Sequence, residues 1–154
     1  MSSRLFQNIR EQKGLAYSVY SSSSSYVTDG IYTIYAGVSH TKVEEAIEAI
    51  AEEMKLVETR GIDSEELTIA KEQLKSAYVF GQENVNNRMY ANGKNTLLLS
   101  RLLTTQEIMD KIDAVNMDEL QIATRMITQM DQYSAAMISS RDYDIQSKIV
   151  GFAR

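Results

Sequence analysis

Several residue types that usually carry chemistry or covalent constraints are missing from this chain of 154 residues. It contains no cysteine, no proline and no tryptophan, and its single histidine is His40. Without cysteine there is no disulfide and no thiolate metal site. One imidazole cannot supply the paired histidines of the H-E-x-x-H or H-x-x-E-H zinc motifs. We therefore expect no metal site and no cofactor in this chain.

His40 could formally serve as the base of a Ser-His-Asp triad. However, no serine lies in a G-x-S-x-G elbow, the turn that exposes such a nucleophile. His40 follows the strand-like Val38 and precedes Thr41, where a helical pattern begins. This position is typical of a solvated loop residue, so the sequence argues against a triad.

The chain also lacks a basic segment and a long apolar run. Its net charge is −5 and its pI about 4.9, which disfavours nucleic acid and anionic membranes as partners. No apolar stretch approaches the roughly 20 residues that span a bilayer, and the N-terminus lacks a signal-peptide pattern. These absences predict a cytoplasmic protein without nucleic-acid or membrane partners.

The first half of the chain predicts a helix followed by two strands. A short helix carries Leu5, Phe6 and Ile9 and stops at Gly14. Strand alternation follows over 15–20 and is expected to continue through the five serines 21–25, with a turn at Asp29-Gly30. The returning strand, 31–38, is apolar on both faces, which favours a central position in a sheet.

The second half is mainly helical. Capping boxes over 41–44 and 104–107 predict two helix starts, and others are predicted at Asp63 and Asn116. The helix from 63 carries the stripe Leu67, Ala70, Leu74, Ala77 and Tyr78, and is expected to bend near Gly81 or Gly93. A final strand is predicted over 133–139 and a helical turn over 145–149.

This order predicts an α+β fold, with helices packed on one face of a mainly antiparallel sheet. No linker or repeat divides the chain, so residues 1–154 are predicted to form a single, partial domain. Three strands make a small sheet, and we expect it to be truncated at its N-terminal side. Unpaired strand edges would then promote self-association of this fragment.

Arg10 and Tyr17 are the candidate functional residues, seven positions apart at the helix-to-strand junction. Both carry long hydrogen-bonding side chains that can reach the same edge of a sheet. From spacing alone, the favoured explanation is structural: a solvated arginine near a helix C-terminus and a half-buried strand tyrosine. For the serine run, a polar edge facing solvent is favoured over an edge that pairs with an extended peptide.

Several segments have amino-acid sequences that resemble the zinc-free second half of peptidases of the pitrilysin/insulinase/mitochondrial processing peptidase superfamily. The resemblance covers most of the chain, in the order found in that family. Its main segments are Met1-Ser-Ser-Arg-Leu-Phe-Gln-Asn-Ile-Arg10, Gly14-Leu-Ala-Tyr-Ser-Val-Tyr20, residues 43–54, Gly61-Ile-Asp-Ser-Glu-Glu-Leu67, residues 70–75 and residues 105–118.

The resemblance implies a clam-shell protease built from two homologous halves. The N-terminal half or partner would carry H-x-x-E-H and bind zinc, whereas this half would supply an Arg/Tyr pair that contacts the peptide substrate. Matched by motif, that pair is Arg10 and Tyr17. The chain alone is expected to be inactive, and its parent is expected to be a zinc-dependent metalloendopeptidase. The resemblance also implies an upstream strand and helix before Met1.

Two other functions stay open at this point. Proteins of the same superfamily also act as noncatalytic subunits or scaffolds that bind other proteins, as in respiratory complexes. An unrelated α+β domain that dimerises through sheet edges is a third interpretation. The presence of both Arg10 and Tyr17 favours the protease, because a scaffold does not need that pair.

Overall fold

The computed structural model describes residues 3–129 and 132–152, and the chain divides into two compact units. Unit 1 combines Met1–Gly61 with Ala123–Arg154, and unit 2 is Ile62–Ile122. The described elements are a π-helix Phe6–Gln12, strands β1 Ala16–Ser25 and β2 Gly30–Val38, and helices α1 Val43–Arg60, α2 Ser64–Glu83, α3 Val85–Leu99, α4 Thr105–Ala114, α5 Met117–Ile127 and α6 Ile145–Phe152.

The sheet of unit 1 is an antiparallel hairpin of β1 and β2, paired from Ser25↔Gly30 to Ala16↔Val38. The serine run continues β1, as predicted. The turn lies earlier than predicted from Asp29-Gly30, because the Tyr26 N–H donates to the Asp29 carbonyl at 2.8 Å. In the described residues β2 pairs with β1 alone, so the expected central position of β2 is not observed.

A β-bulge near the start of β1 changes which side chains are buried. Ala16 pairs with Val38 and Ser18 with Gly37, which leaves Tyr17 as an extra residue on β1. Leu15, Ala16 and Val19 are buried as a result, whereas Tyr17 is exposed. The predicted alternation, with Tyr17 on the same side as Leu15 and Val19, is therefore wrong, because it assumed an unbroken period of two.

The core of unit 1 joins the π-helix, the hairpin and α1. Ile9 of the π-helix is 0% exposed and clusters with buried Leu5, Leu15, Val19 and Ala46. Burial of these apolar side chains stabilises the junction between helix and strand. The predicted apolar side of the first helix is confirmed at Leu5 and Ile9, while Phe6 is only half-buried.

Helix α1 lacks the capping box predicted over 41–44. Its N-cap is Lys42, which makes no side-chain cap, and the Thr41 hydroxyl lies 3.2 Å from that of Ser39 instead. Lys42 Nζ donates to the Gly14 carbonyl at 2.9 Å, which ties the start of α1 to the start of the hairpin. The helix ends as predicted at Gly61, whose φ of 71° favours glycine.

Unit 2 contains α2, α3, α4 and the first part of α5. Asp63 and Thr104 form the capping boxes of α2 and α4, which confirms both predicted starts. The long helix breaks at Asn84, three residues after Gly81 and so near one of the two predicted positions. The Asn84 side chain accepts from the Asn86 amide and caps α3.

The apolar stripe predicted for the second helix is not a core stripe. None of the described residues of α2, α3 or α4 is buried. Leu74 is 60% exposed and the neighbouring Phe80 is 69% exposed. Helical spacing identifies an apolar face correctly, but burial also needs an element that covers that face. Helix α4 contacts α2 through Asp113, which accepts from Lys75 Nζ at 3.0 Å, and this contact leaves Leu74 exposed.

The capping box of α4 is expected to make the stability of the fold depend on pH. Two hydrogen bonds lower the pKa of the Glu107 carboxyl from its usual value of 4.5 to about 2. The larger effect comes from the Thr104 backbone N–H and the next from the Arg101 side chain. Because the folded pKa is the lower one, this contribution to stability is present above pH 4.5 and is lost as the pH falls towards 2. A carboxyl NMR titration should find Glu107 ionised at pH 3, and Arg101→Gln should raise its pKa.

The matched control for this titration is Arg88→Gln on α3, which removes an arginine that has no part in the cap. It should leave the Glu107 midpoint unchanged. A wild-type Glu107 midpoint near 4.5 would contradict the cap geometry.

The final strand predicted over Tyr133–Ser139 is wrong, since no strand is assigned there. A strand exists only with a hydrogen-bonded neighbour, and the sheet of the described residues contains β1 and β2 alone. Helix α6 confirms the predicted helical turn. The α+β fold class is confirmed, and the single domain over 1–154 stays a prediction.

Candidate functional site

Arg10 lies on the last turn of the π-helix and is held between two aromatic rings. Its guanidinium carbon is 4.9 Å from the centre of the Phe6 ring and 5.6 Å from that of Tyr17. Both distances are in the range of cation–π contacts. The structure therefore brings together the two residues that the sequence selected, and adds Phe6 as a third.

Tyr17 reaches this position because of the bulge. As the extra residue on β1, it is turned away from the core and is 86% exposed. Bulges commonly re-aim a side chain in this way, often beside active sites. Within residues 3–129 and 132–152, the Tyr17 hydroxyl has no hydrogen-bond partner, so it is available to a ligand.

The Arg10 guanidinium is also accessible. Its side chain is 41% exposed, and its closest ionic contact joins Nε to Glu11 Oε1 at 3.6 Å, longer than a hydrogen bond. Stacking between rings fixes the plane of a guanidinium while its N–H donors point outwards from the edge. Arg10 and Tyr17 thus present donors side by side, which suits the binding of carbonyl or carboxylate oxygens.

A buried polar contact supports the helix that carries Arg10. Asn8 Nδ2 donates to Glu53 Oε1 of α1 at 2.7 Å, and Glu53 is only 7% exposed. Lys13 Nζ adds an exposed ion pair with Glu52 at 2.7 Å. Glu53 thus faces the π-helix, whereas the adjacent Glu52 is exposed.

The sequence did not predict the contact between Phe6 and Arg10, the β-bulge at Tyr17 or the π-helix. The only available signal was the spacing of four that separates Phe6 from Arg10 and also separates Leu5 from Ile9. The i→i+5 bond from the Lys13 N–H to the Asn8 carbonyl, 3.0 Å long, marks the π-helical turn. Such turns are frequent at functional sites.

The structure also locates the other residues that the sequence offered as candidates. His40 is exposed in the loop after β2, as predicted for a solvated histidine. The five serines 21–25 of β1 are exposed, which fits both the polar-edge and the peptide-pairing interpretation. Across the described residues, no group of three or more His, Cys, Asp or Glu side chains could hold a metal ion.

Comparison with known sequences indicates the family of proteins in which this site occurs. The family model described as "Peptidase M16 inactive domain" matches residues 1–74, which include Arg10 and Tyr17. A protein of Bacillus subtilis named as an uncharacterized zinc protease is 43% identical over 139 residues, covering 90% of this chain and 34% of its own length. One from Rickettsia felis with a similar name is 38% identical over 78% of this chain and 29% of its own.

Solved structures agree with this fold. A conserved protein from Enterococcus faecalis matches with a TM-score of 0.64 and 28% identity, over 80% of this chain and 28% of its own. Complex III2 from Candida albicans contains a chain that matches with a TM-score of 0.71, over 82% and 30%, but at 21% identity it shows the fold alone.

These observations define the class as the M16 zinc peptidases. Within that class, the chain belongs to the inactive C-terminal domain, as the resemblance implied. The chain spans about a third of the length of the curated relatives it matches. Among the described helices, none is long and apolar enough to cross a membrane.

Proposed function

We propose that this chain is the substrate-contacting part of the zinc-free half of a metallopeptidase. In this proposal it acts together with a zinc-bearing half, located elsewhere in the polypeptide or on a partner subunit. The single observation that carries the proposal is the exposed pair of Arg10 and Tyr17, with the guanidinium carbon 5.6 Å from the centre of the tyrosine ring and Tyr17 turned outwards by the β-bulge.

The two side chains would have different roles on a bound peptide. The Tyr17 hydroxyl would donate to the carbonyl oxygen of the scissile bond as negative charge develops on it. Arg10 would hold a neighbouring peptide carbonyl through its outward N–H groups. Phe6 would be a positioning residue, since it contacts the guanidinium and not the peptide.

We place the metal in another part of the complete protein. The names of the relatives refer to zinc, and the described residues of this chain offer no group of ligands for it. Peptide-bond hydrolysis is accordingly assigned to the assembled protein and not to this chain alone. The location in the cytoplasm stays a prediction from the sequence.

The alternative function is a noncatalytic scaffold of the same family. The likeness to a chain of complex III2 does not favour it, because that likeness shows the fold alone. A scaffold would also have no use for an accessible hydroxyl and guanidinium held side by side. We therefore retain the peptidase function.

The conservative substitution Arg10→Lys tests this function in the complete protein. Lysine keeps the charge but loses the planar fork and the ring stacking. We expect KM for a quenched fluorescent peptide to rise roughly 10-fold, as for the loss of one charge-assisted hydrogen bond, with a smaller change in kcat.

The matched control is Arg60→Lys at the exposed end of α1, which should leave both constants unchanged. The starting activity should also be abolished by a zinc chelator. If the complete protein has no chelator-sensitive peptidase activity, or if Arg10→Lys behaves as Arg60→Lys does, the peptidase role of this pair is wrong.

A further inference from the structure

The π-helix that carries Arg10 is too short to hold its own position. It has seven residues, Phe6–Gln12, and its N-terminus has no side-chain cap. Isolated helices shorter than roughly 12–15 residues are marginal in water, so contacts with the rest of unit 1 must fix where this helix lies. A rotation of the helix about its axis would carry the guanidinium away from both aromatic rings. The contact that fixes this rotation therefore also fixes the site.

Asn8 is the residue at which the π-helical register closes. Its carbonyl accepts the i→i+5 bond from the Lys13 N–H at 3.0 Å. An α-helical turn would pair that carbonyl with the N–H of Gln12 instead. Because Arg10 lies between Asn8 and Lys13, the direction of its side chain depends on which of the two registers forms.

The side chain of Asn8 is tied to α1. Asn8 is half-buried, and its Nδ2 donates to Oε1 of Glu53, which is only 7% exposed, at 2.7 Å. A hydrogen bond has a preferred direction, whereas the burial of an apolar side chain such as Ile9 has none. The bond to Glu53 therefore selects a rotation, while the burial of Ile9 holds the helix against the core.

Asn8 and Arg10 make their contacts on different sides of the helix. Residues two positions apart in a helix do not face the same neighbour. Asn8 contacts α1, whereas the Arg10 guanidinium lies against the rings of Phe6 and Tyr17. Releasing Asn8 from Glu53 would thus turn Arg10 away from the rings, although neither residue of the bond touches Arg10's guanidinium.

Two other polar contacts join this segment to α1, and both fit the positioning role less well. The ion pair of Lys13 with Glu52 is exposed on both sides, and exposed pairs contribute little. Arg4 Nη2 donates to the Gly61 carbonyl at 3.3 Å, but Arg4 precedes the helix. The bond of Asn8 lies within the helix and ends on a buried carboxyl group.

We propose that Asn8 and Glu53 are positioning residues for Arg10. Their hydrogen bond fixes the rotation of the π-helix that places the guanidinium on Phe6 and Tyr17. It thereby sets how tightly Arg10 holds a peptide carbonyl. This last step rests on the proposed function, whereas the placement of the guanidinium does not.

An exchange of the two polar groups tests the proposal in the complete protein. Asn8→Asp replaces the donor by a carboxyl group, which only accepts when ionised and is repelled by Glu53. Glu53→Gln keeps an oxygen that can accept, so it should change little. Both substitutions together restore one donor and one acceptor on side chains of the original size. Glu52→Gln, on the adjacent exposed residue, is the matched control.

NMR of the protein labelled with ¹⁵N-arginine reports the position of Arg10 directly. Its Nε–H signal is the one that disappears in Arg10→Lys. A proton close to the face of an aromatic ring is shifted upfield, so displacement from the rings should move this signal. We expect it to move in Asn8→Asp and to return in the exchanged pair. Urea unfolding of each variant separates this displacement from loss of the fold, and Asn8→Ala removes the donor without adding charge if Asn8→Asp does not fold.

Peptide hydrolysis reports the consequence for binding. KM should rise roughly 10-fold in Asn8→Asp, as expected for Arg10→Lys, with a smaller change in kcat, and should recover in the exchanged pair. A purely structural role would not produce this split. Because Asn8 acts through Arg10, Asn8→Asp should raise KM no further when Arg10→Lys is already present.

The other outcomes are equally distinct. An Arg10 signal that stays in place in Asn8→Asp, or that the exchanged pair does not restore, would overturn the proposal. Effects on KM that multiply in the combined variant would overturn it too, since Asn8 would then act by a separate route. A signal that moves and returns in a protein without chelator-sensitive peptidase activity would support the positioning of Arg10 and reject the proposed function.

Discussion

Replacement of Tyr17 by phenylalanine is expected to lower kcat of the complete protein about 100-fold, the effect of removing one oxyanion-stabilising donor. KM should change little, because the ring that stacks on Arg10 is retained and only the hydroxyl is lost. The substitution removes a single oxygen atom from a side chain that is 86% exposed, so it should leave folding almost unaffected.

The size of this effect follows from where the hydroxyl is needed. A donor that bonds the carbonyl only as it becomes an oxyanion stabilises the transition state more than the bound substrate. Its loss must therefore appear in kcat and in kcat/KM alike. The bulge at Tyr17 supports this interpretation, since it exposes a tyrosine that regular pairing would place on the same side as buried Val19.

Tyr20→Phe is the matched control, because Tyr20 lies on the same strand and is also exposed. Its ring stacks on that of Tyr35 at 5.0 Å, a contact that phenylalanine preserves. Both variants should unfold at the same urea concentration as the wild type. An unchanged kcat/KM for Tyr17→Phe would reject the role in transition-state binding, and an equal loss in Tyr20→Phe would attribute the effect to the strand as a whole.

Local signals in the sequence predicted most of the elements because their causes are local. The capping boxes at Asp63 and Thr104 place a side-chain acceptor three residues before the amide it bonds, and both form. The box at Thr41 fails because its hydroxyl lies against Ser39 and the helix starts at Val43. A sequence pattern cannot show which of two nearby partners is bonded.

The site was predicted in part for the same reason. Arg10 and Tyr17 follow from the motif, but their contact depends on a π-helical turn and a bulge, each of which shifts the phase of a regular pattern by one residue. The strand predicted over 133–139 failed differently. Strand formation depends on a neighbour that is distant in the chain, and in the described residues β2 pairs with β1 alone.

Truncation of Ile9 to alanine should have the largest effect on stability. Ile9 is 0% exposed and lies where the π-helix, the hairpin and α1 meet. Removing its side chain forfeits the burial of three methyl or methylene groups and leaves a cavity, so the free energy of unfolding should fall by about 2–5 kcal/mol. Urea unfolding of this chain, followed by far-UV circular dichroism, measures the shift.

Ile9 also connects stability with the site, because its neighbour in sequence is Arg10. Loss of packing under the π-helix would free the helix to move, and the stack on Phe6 and Tyr17 depends on its position. Ile9→Val keeps the β-branched shape and should cost only about 0.5–1.5 kcal/mol. Ile122→Ala truncates an isoleucine that is 61% exposed and should shift the free energy by less than about 0.5 kcal/mol. Equal effects of Ile9→Ala and Ile122→Ala would mean that the core of unit 1 is not centred beneath the π-helix, and the rigid support inferred for Arg10 would be lost with it.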